Sequence, residues 1–203
     1  MPSGMAGMRG DFRHYCRIHG AGGLVDRVLL PFRAPSLFAL FVYRFGRSVR
    51  FGRSWPRWVA APLRGVHGLL FHVSRYATRI LLHPFVEVEA NVWLASYAPL
   101  VLGAVRIGEG TVVHQGVTLG AGGPREARGL PIIGRGVVLG PGAIVVGGID
   151  VADGTVVGPN TVLASTAAGG GNWLGVPAVR TRRPTESLVP ALPTGSADDG
   201  ERA

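Results

Sequence analysis

Six histidines and a single cysteine are the main groups in this 203-residue chain that could transfer protons, bind a metal or attack a substrate. Only His83 and His114 fall in the stretch 83–168. A catalytic zinc built on histidine needs three rings to converge, so no metal is expected. Imidazole titrates near neutral pH, which suits it to proton transfer. His114, in the run Val113-His-Gln-Gly-Val117, is the candidate for that task. Glu87 and Glu89 could orient its ring if the fold brings them close. Cys16 has no partner for an internal disulfide and fits a reducing compartment. It is read as incidental.

The elements that hold His114 follow a beat of six. Ile107-Gly-Glu-Gly-Thr111, Ile133-Gly-Arg-Gly-Val137, Leu139-Gly-Pro-Gly-Ala143 and Val157-Gly-Pro-Asn-Thr161 each place an aliphatic residue first and a small or β-branched one four positions later. A helix repeats its apolar face every 3.6 residues and a strand every 2, so this period implies short strands joined by corners. Interior positions are expected at Val101, Ile107, Val113 and Leu119, then at Ile133, Leu139, Val145, Val151, Val157 and Leu163. The step from Leu119 to Ile133 is too long for one beat, which predicts an excursion near residues 121–131. Three sixes make a triangular coil of about eighteen residues, rising about 4.8 Å per coil. A parallel β-helix of roughly four to five coils is predicted from about His83 to Ala168.

Before the repeat, apolar residues recur at helical spacing from Leu24 to about Arg50 and from Trp55 to about Leu82. Phe38, Val42, Phe45 and Val49 mark one stripe, and Leu63, Leu70, Val73 and Ala77 another. Residues 1–20 read as a loose start, and 184–203, rich in proline, small residues and acids, as a disordered tail. The expected organisation is a helical segment over 1–82, a coil stack over 83–183, and the tail. A hydrophobic content of 47% supplies a packed core. The net charge of +9 is uneven, because residues 1–83 carry thirteen arginines against Asp11 and Asp26, and the chain has no lysine. A basic amphipathic half of this kind suits a membrane surface or the phosphates of a cofactor. Nucleic acid ranks last, because no interleaved aromatic and basic readout motif is present. No secretory signal or spanning segment is read from the sequence, so a cytoplasmic location is expected.

FALFVYRFGR, the His83-Pro84 step, VVHQGVTLGAGG, the looped-out insertion, the repeats up to VVGPNTVLAS and the closing GVPA at 175–178 together resemble the serine O-acetyltransferases and their hexapeptide-repeat relatives. The match runs over residues 35–183. It implies a mainly β fold, a left-handed parallel β-helix with an N-terminal α-helical segment. It also implies acetyl-CoA as donor, a small hydroxylated acceptor, and active sites between subunits of a homotrimer or a dimer of trimers. A histidine acts as general base in such enzymes, and backbone N–H groups hold the developing oxyanion.

Carried over without gaps from His83-Pro84, the family's catalytic histidine falls at Ser96, its supporting acid at Leu81 and its loop histidine at Leu130. None of these residue types can perform those roles. His114 lies one expected coil after Ser96 and is the candidate for a displaced base. On the donor side Gly120, Ala121, Gly142, Ala143, Pro159 and Asn160 match positions that line the groove for the pantetheine arm. Arg180, with Arg182 and Arg183, could meet the CoA phosphates. The leading reading is an acetyl-CoA-dependent O-acyltransferase of the serine acetyltransferase type, its usual histidine replaced. The alternative is a catalytically silent trimer acting as scaffold or regulatory subunit.

Overall fold

A computed structural model describes residues 5–21, 23–51, 56–95, 99–123 and 128–182. Four helices come first: α1 (Met5–Ile18), α2 (Leu24–Arg33), α3 (Pro35–Phe51) and α4 (Arg57–Thr78). Short strands then follow in threes. The first coil holds β1 (Ile80–Leu82), β2 (Glu87–Val88) and β3 (Trp93–Leu94), and the second β4 (Leu100–Leu102), β5 (Arg106–Ile107) and β6 (Val112–Val113). The third holds β7 (Thr118–Gly120), β8 (Ile132–Ile133) and β9 (Val138–Leu139), and the fourth β10 (Ile144–Val146), β11 (Asp150–Val151) and β12 (Val156–Val157). The last coil holds β13 (Val162–Leu163) and β14 (Asn172–Leu174), after which β15 (Val179–Thr181) turns back antiparallel along β14.

Corresponding strands stack in parallel into three faces, giving a left-handed β-helix of about five turns. Sheet A runs β1-β4-β7-β10-β13, sheet B β2-β5-β8-β11, and sheet C β3-β6-β9-β12-β14-β15. One aliphatic column fills each face from inside: Leu82, Leu102, Leu119, Val145 and Leu163 behind sheet A, Val88, Ile107, Ile133 and Val151 behind sheet B, and Leu94, Val113, Leu139 and Val157 behind sheet C. Expected interior positions from Ile107 to Leu163 are buried. Val101 is the exception. It is 41% exposed and pairs with Thr118, while Leu100 and Leu102 on either side turn inward. Strand alternation sets the direction within β4, and the next corner reaches Ile107 in five residues instead of six, so a strict beat misplaces it.

The corner between sheets C and A takes positive φ at its three fully described levels, supplied by Gly116 (φ 74°), Gly142 (φ 70°) and Asn160 (φ 51°). Glycine and asparagine tolerate that region best. Within the expected loose start, Met5–Ile18 instead form the regular helix α1, and residues 1–4 lie outside the described set. Its sequence hides this because its buried face is polar, carrying Asp11 and Tyr15.

That polarity has a purpose. The outer edge of the first coil has no coil beneath it, and side chains take up its backbone groups. The Tyr15 hydroxyl donates to the Leu94 carbonyl and accepts from its N–H, and the Tyr43 hydroxyl does the same for Val86 O and Val88 N–H. Arg44, fully buried, donates to the carbonyls of Val88 and Glu89 and pairs with Asp11 at 2.9 Å. Asp11 in turn accepts the Asn91 N–H. Burial raises the Asp11 carboxyl above its ordinary range despite the guanidinium beside it.

On α3 the expected stripe is half right: Val42 and Val49 are buried, Phe38 and Phe45 only partly so. On α4 the residues against the bundle are Ala60, His67, Ser74 and Thr78, while Val73 and Ala77 face outward.

Candidate active site

His114 follows Val113, which fills the core, so its ring leaves the opposite side of sheet C. Its N–H donates to Leu139 O at 3.0 Å, and the Ala95 N–H donates to Val113 O at 2.8 Å. The residue level with His114 in the coil below is therefore Ala95, not Ser96. The turn from Leu94 to Val113 spans nineteen residues, one more than an ideal coil. Ser96 itself lies outside the described residues.

The His114 ring is 3% exposed and meets the Trp93 ring edge-on, centroids 5.5 Å apart. Among the described residues neither His114 Nε2 nor Trp93 Nε1 has a hydrogen-bond partner, although both are buried. Burial lowers the His114 pKa below the ordinary histidine value, and among the described residues no carboxylate contributes. The ring is thus neutral at pH 7, with a lone pair able to accept a proton.

Glu87 and Glu89 do not orient it. Glu87 faces Arg47 at 3.7 Å, and Glu89 binds Arg106 and Arg135 on sheet B. Burial pushes the Glu89 carboxyl up, but its bonds from Arg106 and the Glu109 N–H and the two arginine charges hold it below the usual range. Leu81 sits in the middle of β1, and Leu130 is exposed near the end of the excursion. Residues 124–127 of that excursion lie outside the described set.

The donor-side residues separate into three places. Gly142, Pro159 and Asn160 meet at the corner between sheets C and A, where a methyl at Gly142 would overlap the Asn160 carboxamide. Ala143 is at the same corner but 0% exposed, with its N–H on Gly140 O and its carbonyl accepting from Thr118. Its side chain belongs to the core and cannot line a groove, which corrects that expectation. Gly120, half-buried at the far end of β7, and the exposed Ala121 just past it lie away from that corner, and a methyl at Gly120 would meet nothing within 4 Å. Arg180 is exposed on β15, its guanidinium lying over Gly171.

Sequence reasoning missed Trp93, whose place against His114 depends on the true coil length. It also missed a shallow depression of about 320 Å³ on sheet B, lined by Arg106, Ile132, Arg135, Asp150 and Asp153. Among the described residues no cluster of three or more histidine, cysteine or acidic side chains could hold a metal ion.

No family model matches the chain. A serine acetyltransferase of Helicobacter pylori is 29% identical over 142 residues, covering 70% of this chain and 78% of that one. One from Staphylococcus xylosus is 30% identical over 110 residues, about half of each chain. A solved serine acetyltransferase in complex with CoA superposes with TM-score 0.68 at 22% identity, covering 89% of this chain and 70% of that one. The chain is similar to serine acetyltransferases in sequence and shares their fold. The Neisseria gonorrhoeae serine acetyltransferase has the same architecture, with TM-score 0.67 at 20% identity over 86% of this chain and 66% of its own. The fold shared with these structures spans the helical segment and the coil stack together.

Proposed function

We propose that the chain is an acetyl-CoA-dependent O-acyltransferase acting on a small hydroxylated acceptor, with His114 as its general base. The observation that carries this reading is the joint likeness, in sequence and in fold, to serine acetyltransferases. The unpartnered, neutral imidazole supports the choice of base. In the reaction, Nε2 takes the hydroxyl proton as the acceptor oxygen attacks the thioester carbonyl. The carbon–sulfur bond then breaks, and the imidazolium returns the proton to the leaving thiolate. Gly120 and Ala121 leave open surface for a pantetheine arm, and the exposed Arg180 suits its phosphates. A homotrimer would bring a neighbouring chain against this face. Light scattering that found a stable monomer at micromolar concentration would remove such an inter-subunit site.

A silent scaffold is the second reading, favoured by the lack, among the described residues, of a carboxylate acting on His114 and by Leu81 and Leu130 at the family's polar positions. Thiol release from acetyl-CoA, followed with L-serine and a panel of other hydroxyl acceptors, separates the two. Turnover with any acceptor supports the enzyme, and binding of CoA without turnover across the panel supports the scaffold.

A further inference from the structure

Helix α4 is turned the opposite way from an ordinary surface helix. Against the bundle it places Ala60, His67, Ser74 and Thr78, all small or polar. Outward it places Trp58, Val66, Leu69, Val73 and Tyr76, each between 48% and 79% exposed. At about 100° per residue these five, with Pro62, fall within an arc of about 80°, and the stripe runs about 27 Å. Arg64 and Arg79 are exposed beside it, and Arg75 lies over the Tyr76 ring at 5.0 Å. From Arg27 to Val86 the chain has ten arginines and no acidic residue. The described helices include none that is by itself long and apolar enough to cross a membrane.

We propose that the outward face of α4 seats in the plane of an anionic lipid surface, with its apolar stripe in the acyl boundary and its arginines on phosphate headgroups. Charge selects this occupant. The spacing 62, 66, 69, 73, 76 would also suit a second copy of the helix, but pairing two copies sets one acid-free basic face against another. Anionic phosphates supply the complement that a second copy lacks. Trp58 and Tyr76 stand at the two ends of the stripe, and both ring types favour the water–lipid boundary. Serines or acids at these positions would remove the affinity without touching the bundle, because the substituted side chains point into solvent.

Flotation of the full chain with phosphatidylcholine vesicles, with and without phosphatidylglycerol at about one lipid in three, tests this. The parent should float with the anionic vesicles only, and less so as salt rises. Leu69→Glu with Val73→Glu should abolish flotation while leaving the far-ultraviolet circular dichroism unchanged. Arg64→Gln with Arg75→Gln should weaken binding on the order of tenfold or more. The proposal is overturned if the parent stays with the soluble fraction, or if the folded double-glutamate variant floats as well as the parent. It is overturned equally if light scattering shows those glutamates dissociating an oligomer while the parent ignores vesicles, which assigns the stripe to a second copy.

Discussion

At the scale of single residues, the proposed chemistry rests on one ring. Replacing His114 by alanine should lower acyl transfer about 10²–10⁴-fold, the usual contribution of a positioned base, as read by thiol release from acetyl-CoA. Its lowered pKa gives a second check. The base works when neutral, so the acid limb of the rate against pH should fall below the ordinary histidine range of about 6.5. A limb at or above that value would place the titrating group elsewhere. His67 makes a different point about close approach. A methyl at Gly46 would overlap its buried ring, which sits against Phe45 and Phe71. Gly46→Ala should therefore destabilise the α3–α4 contact by about 1–3 kcal/mol, measured by urea unfolding. The candidacy of His114 was legible from the repeat, because the residue after an interior valine must face outward. Its neighbours were not. A coil one residue longer than ideal replaces Ser96 with Ala95 at that level, and nothing local in the sequence marks the extra residue.

At the scale of elements, the join between helices and coils depends on buried polar side chains. Tyr43→Phe removes the group that serves both Val86 O and Val88 N–H, and should cost about 1–3 kcal/mol in thermal or denaturant unfolding. Arg44→Met should cost more, about 3–5 kcal/mol, since it strands Asp11 in the core. Adding Asp11→Asn to that variant should recover part of the loss, and full additivity would deny that the two act as a pair. The coil strands were legible because each turn repeats the same physical demand for an aliphatic residue inside and a turn residue at the corner. Helix α1 was not, because its buried side is defined by Asp11 and Tyr15 and carries no aliphatic stripe. The α4 stripe misled for a related reason. Periodicity reports that a face is apolar, but not whether that face looks toward the bundle.

At the scale of the whole molecule, burial lowers the pKa of His14, His19, His67, His83 and His114 together. Unfolding returns each to about 6.5, so below that pH the unfolded chain binds more protons and stability falls as pH falls. Thermal midpoints should drop between pH 7 and pH 5, and a flat profile there would contradict the burial of these rings. The two ends of the coil stack carry a further consequence. A parallel stack has no intrinsic length, and any open end is a template for the next chain. Here the first end is occupied by tyrosine, arginine and aspartate side chains, and along sheet C the last is closed by a strand running the wrong way for continued parallel addition. Damage to the helical segment should therefore appear first as fibre growth, with turbidity rising steeply with protein concentration while strand content is retained.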